Sequence, residues 1–178
     1  MFEGKRKHAL NLFMICILIP FVLVSSLFLL PSFEENYSVF LGMAEYKIYS
    51  FTIAQIILIW IVWFLHEDLG FTKDLVLYFV LAELCILIPY EKNHIITDNL
   101  HLLCAYGGFF VFQYVLCRRY RFDPHLLYAY LPFLFLSVLL VLKSSAVTGL
   151  AELVYGLGMD VLFCFIERKR KRAEALHL

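Results

Sequence analysis

Charge is scarce in this chain. Only 17% of its 178 residues are charged and 62% are hydrophobic, against about a quarter and about half in an ordinary soluble domain. That balance excludes a soluble globular fold. Fifteen basic and fifteen acidic residues cancel, so no excess of positive charge is there to recruit nucleic acid. The five cysteines, Cys16, Cys85, Cys104, Cys117 and Cys164, stand singly with no CxxC pair, which excludes a disulfide framework or a zinc knuckle. No HExxH or HxxxH spacing occurs, and the adjacent Gly107 and Gly108 lie inside an apolar run instead of a phosphate-binding turn. Neither an internal repeat nor a low-complexity segment is found, which disfavours a transporter built on inverted repeats. No cofactor and no metal is expected.

What the chain has instead is length of apolar sequence. Six runs are separated by breakers or charges: residues 9–30, 47–65, 74–90, 98–117, 125–142 and 146–166. Crossing the ~30 Å hydrocarbon core takes about 20 helical residues, so the expected fold is all-α, a six-transmembrane-helix bundle forming one domain, with a basic cytoplasmic tail over 167–178. The first run follows Lys5, Arg6 and Lys7 as a signal peptide would. It is longer than a signal core and lacks a small-x-small cleavage site before Pro31, so it is expected to stay as a helix.

Topology follows from lysine and arginine, which favour the cytoplasmic side. Alternating the connectors puts Lys5, Arg6, Lys7, Lys73, Arg118, Arg119, Arg121 and the run Arg168 to Arg172 on one side. Only Lys47, Lys92 and Lys143 fall on the other. Both termini are therefore expected to be cytoplasmic, in a multi-pass protein of the cell membrane. The run ERKRKR after the last apolar segment either anchors the helix end or attracts anionic lipid. Tyr46, Tyr49, Tyr90, Tyr120 and Tyr128 fall near run ends, as an interfacial aromatic belt requires.

Ionisable groups inside such runs are costly and mark partners or function. Glu83, Glu152 and Asp160 are the embedded acids. At 1.5 Å per residue, Glu83 and Glu152 fall roughly 10 Å below the outer surface. Gln55 reaches a similar level, and Asp98 and His101, three residues apart, enter from the same side on one helix face. An outward-facing polar pocket built by Glu83, His101 and Glu152, with Asp98 and Gln55, is the resulting expectation. Two stripes, Asp98-His101-Ala105-Gly108-Phe112 and Gly149-Glu152-Gly156-Asp160, combine these polar groups with small residues and should face neighbouring helices. Each residue also has a plainer role. His101 can be an interfacial hydrogen-bond donor, Glu83 and Glu152 can be neutral bridges between helices, and Asp160, set deeper, can be structural. His8 has no evident polar context. A serine nucleophile can be drawn only by bringing Ser25 or Ser26 to His101.

The stretches IPYEKNHIITDNLHLLCAYGGFF and GLAELVYGLGMDVLF together resemble the DRAM/Sfk-like six-span membrane proteins, a family similar to branches of the CREST group of membrane hydrolases. The resemblance covers the C-terminal half and rests on His101, Phe110, Glu152 and Asp160. It implies a six-helix bundle that binds or acts on membrane lipids. The hydrolase branch places several histidines with a serine and an aspartate around a metal; of that set only His101 matches here. The functional expectation is a lipid-binding or amphipath-binding membrane protein, with a membrane-embedded lipid hydrolase, a small proton-coupled carrier and a packing subunit as alternatives. Membrane lipids are the expected partners, and a protein partner or homo-oligomer is left open.

Overall fold

A computed structural model describes residues 2–30, 35–88, 95–120 and 124–176. Tyr90, Lys92, His94 and Arg121 lie outside the described residues. All regular structure among the described residues is helical: α1 (Phe2–Phe13), a π-helical turn (Met14–Leu18), α2 (Ile19–Leu29), α3 (Tyr37–Gly42), α4 (Lys47–Leu69), α5 (Lys73–Leu87), α6 (Ile95–Tyr120), α7 (Pro124–Ser144) and α8 (Gly149–Leu176). Among the described residues five stretches are long and apolar enough to cross a membrane: Arg6–Leu29, Lys47–Leu69, Ile95–Arg118, His125–Ser144 and Gly149–Leu176. The remaining expected run, 74–90, is helical over Lys73–Leu87, only 15 residues or about 22 Å.

Local sequence explains the boundaries. Pro20 can neither donate to the carbonyl of Cys16 nor tolerate it in contact, and the ladder loosens into the π turn directly before it. Gly70 ends α4 at φ +65°, a left-handed conformation that costs glycine nothing, while its N–H still caps the His66 carbonyl. Two residues later Thr72 caps α5, its hydroxyl accepting from the Leu75 amide at 3.3 Å. Thr148 does the same for α8 through the Ala151 amide. The helix α8 runs past its apolar segment to Leu176 because Glu, Arg, Lys and Ala all favour helix.

The helices form two compact units, Met1–Asn36 with Asp123–Leu178, and Tyr37–Phe122. In the first unit α8 is central and packs on α1, α2 and α7. Small residues set how closely. A Cβ on Gly158 would stand 2.4 Å from the Phe133 Cβ of α7, and one on Gly156 would stand 2.6 Å from a Leu23 methyl of α2. Gly149 approaches Leu27 and Leu30 and donates its N–H to the Glu35 carbonyl at 2.7 Å. The expected Gly149-Gly156 stripe therefore does face a neighbouring helix, α2.

In the second unit α5 lies against both α4 and α6. Gly107 and Gly108 of α6 rest on Leu81 and Ala82 of α5, and the Phe112 ring stacks tilted on Tyr78 at 4.9 Å. The His101-Gly108-Phe112 side of α6 is thus its buried side. Large apolar side chains remain exposed on outward faces of both units, among them Phe21, Phe28, Phe110, Phe135 and Leu142. Such a surface suits hydrocarbon and not water.

Candidate functional site

The sequence-predicted residues divide between the units. Gln55, Glu83, Asp98 and His101 belong to the second; Glu152 and Asp160 belong to the first.

Gln55 sits two turns into α4 and Glu83 ten residues into α5, and the packing of these helices brings the side chains together. Gln55 Nε2 donates to Glu83 Oε1 at 2.8 Å. The other carboxyl oxygen, Oε2, is buried and has no hydrogen-bond partner among the described residues. A carboxyl group with one oxygen fixed by an amide and the other left over is oriented but half satisfied, and a buried polar atom in that state costs about 1–3 kcal/mol until something pairs with it.

His101, near the start of α6, is 2% exposed and makes contacts of its own. Nδ1 lies 2.7 Å from the Ile88 carbonyl oxygen. A carbonyl only accepts, so Nδ1 carries the proton and donates. Nε2 is then the ring acceptor, and Ser38 Oγ stands 2.9 Å from it, with Cys85 Sγ at 3.7 Å. Three separate chain segments meet at this imidazole: the start of α3, the residue after α5, and α6. Glu83 spends its bonded oxygen on Gln55, so the histidine and this carboxylate are not hydrogen-bonded to one another. Asp98, one turn before His101, is half-buried.

Ser38 is a residue that sequence reasoning missed. It lies in α3, a six-residue helix too short to leave a periodic signal, between the first two apolar runs. The serines considered instead are engaged otherwise or elsewhere. Ser25 donates to the carbonyl of Val22 one turn back, and Ser26 is buried in α2 of the first unit.

In the first unit Glu152 is half-buried in the first turn of α8, where its amide bonds the Thr148 carbonyl. Asp160 is 6% exposed, and neither of its carboxyl oxygens has a hydrogen-bond partner among the described residues. No group of three or more His, Cys, Asp or Glu side chains among the described residues is arranged to hold a metal ion.

A second polar cluster, also absent from the sequence expectation, joins α1 to the far end of α8. His8 Nδ1 meets Glu167 Oε1 and its Nε2 meets Glu174 Oε2 at 2.9 Å. Asn11 Nδ2 donates to Glu167 Oε2 at 2.9 Å, and Arg170 approaches the same oxygen at 3.7 Å. Asn11 is 0% and Glu167 3% exposed. A carboxylate oxygen faces each ring nitrogen of His8, so the imidazolium, donor at both nitrogens, is the form that satisfies every atom. The available signal was the i, i+3 spacing of His8 and Asn11 on one face of an otherwise apolar helix. In the second unit, Asp74 and Arg118 likewise join the start of α5 to the end of α6.

With this geometry described, comparison with known proteins adds no relative: no family model, no curated protein and no solved structure matches the chain.

Proposed function

We propose that this chain is a small multi-pass protein of the cell membrane, crossing six times with both termini cytoplasmic, that holds the polar head of a lipid or other amphipathic ligand beside α4 and α5. The observation that carries this reading is Glu83. Its Oε1 is fixed by Gln55 while its buried Oε2 offers an unused acceptor. A hydroxyl or ammonium head supplies the missing donor, and the exposed apolar flanks of the helices suit an acyl chain. Six crossings with cytoplasmic ends agree with the lysine and arginine asymmetry; α5, at 15 residues shorter than the five stretches long enough to span, would cross by local thinning of the bilayer. The DRAM/Sfk-like resemblance favours the same lipid-directed role.

The test is the lipid that remains with the purified protein. Extracts of the wild-type protein are expected to contain one enriched lipid class by mass spectrometry, reduced about tenfold in Glu83→Gln, for a hydrogen bond to a charged group worth roughly 1.5–3 kcal/mol. Equal lipid content in the two proteins would sink the assignment.

A second reading, a membrane-embedded lipid hydrolase, is favoured by the contact of Ser38 with His101 and of His101 with the Ile88 carbonyl. It has the order nucleophile, base and orienting acceptor. In this reading His101 Nε2 takes the Ser38 proton as Oγ bonds to the ester carbonyl carbon. The alcohol then leaves with that proton, and water releases the acid. A fluorophosphonate probe is expected to label the wild-type protein and to leave Ser38→Ala unlabelled, with His101→Gln labelled at least a hundredfold more slowly. An unlabelled wild-type protein would remove this reading and leave the ligand-binding one standing.

A further inference from the structure

We propose that the end of α8 carries a binding surface for anionic phospholipid, formed by Arg168, Lys171 and Arg172. At 1.5 Å per residue the 28 residues of α8 extend about 42 Å, well beyond the ~30 Å hydrocarbon core. A helix that enters at Gly149 leaves the apolar layer near Ile166, so the next turn lies at the level of the lipid phosphates. The two turns that follow Ile166 hold the three cations.

Their arrangement comes from the tertiary structure. Positions 168, 171 and 172 have the i, i+3, i+4 spacing of one helix face, and all three side chains are exposed. None makes an ion pair among the described residues. The acids of this segment, Glu167 and Glu174, are engaged by His8, Asn11 and Arg170. The acids are therefore spent on these partners, and the three exposed cations are left to their surroundings. The same clamp holds the helix end to α1, so the backbone that carries the cations is already in place before a lipid binds. Three cations on one face beside the bilayer match the phosphodiester of an anionic lipid such as phosphatidylglycerol. A zwitterionic head carries its own ammonium and competes poorly.

This surface is separate from the Glu83 site and requires only that α8 span the bilayer. The experiment uses the full chain in phosphatidylcholine vesicles holding a trace of spin-labelled phosphatidylglycerol or spin-labelled phosphatidylcholine. A basic residue near the surface favours anionic lipid by roughly fivefold, and the preference is screened by salt. The wild-type protein is expected to prefer phosphatidylglycerol about tenfold or more at low salt and to approach parity at 1 M salt. Joint replacement by R168Q, K171Q and R172Q should bring parity at low salt. R118Q, which removes a cation already paired with Asp74, should keep the preference.

Equal association of both probes with the wild-type protein would overturn the proposal, and so would a preference that survives the triple replacement. If that variant does not reconstitute, the salt series on the wild-type protein decides: a preference indifferent to salt overturns it.

Discussion

Replacing Glu167 with alanine is expected to destabilise the first unit by about 3–5 kcal/mol, the range for breaking a buried charge pair by removing one partner. Glu167 is almost fully buried and accepts from His8 and Asn11, with Arg170 nearby. Its removal takes the Glu167 acceptor from the fully buried Asn11 amide and leaves the His8 ring with the exposed Glu174. Thermal unfolding in detergent, followed by helical circular dichroism, checks this. Replacing Glu174 should change the melting profile little, because water already solvates that carboxylate. The pair Asn11→Leu with Glu167→Met should recover most of the loss, since removing both polar partners leaves fewer buried groups stranded. If Glu167→Ala melts with the wild-type protein, the cluster does not hold α1 to α8.

Alanine at Gly158 is expected to cost at least about 1–3 kcal/mol, the range for forcing extra volume into a packed interface. The new Cβ would stand 2.4 Å from the Phe133 Cβ, an atom fixed to the α7 backbone, so relief requires the two helices to separate. Two other glycines make the comparison quantitative. At Gly156 the obstructing atoms are the end of the Leu23 side chain, which can rotate away, so Gly156→Ala should cost less. At Gly108 the nearest atom is 3.7 Å away, an ordinary contact, and the helix propensity of alanine over glycine, up to ~1 kcal/mol, should prevail. The expected order of melting temperatures is Gly108→Ala highest and Gly158→Ala lowest. An unchanged melt for Gly158→Ala would show that the α7 and α8 contact is looser than these distances.

Long apolar runs were legible because a helix in hydrocarbon must satisfy its own backbone, so run length translates directly into helix. Apolarity is a weaker guide to where a helix stops. The helix α8 continues ten residues past the expected end at 166, because its charged residues are good helix formers whatever their solvent. The site was legible in part. Gln55 and Glu83 were singled out separately by depth, and they prove to be partners. His101 was singled out for its face, but not for Ser38, which lies 63 residues away in sequence.

Sequence by itself determined an all-helical membrane chain, its approximate helix boundaries and the faces that small residues turn toward neighbours. These follow from hydropathy, capping and residue size, which act over one or two turns. Tertiary structure alone decided which polar groups meet. His8 is 159 residues from Glu167, and no local periodicity relates them. Their contact depends on where α1 and α8 lie once packed. For the same reason only the packed structure engages the two acids of the α8 end with His8 and Asn11 while Arg168, Lys171 and Arg172 stay exposed.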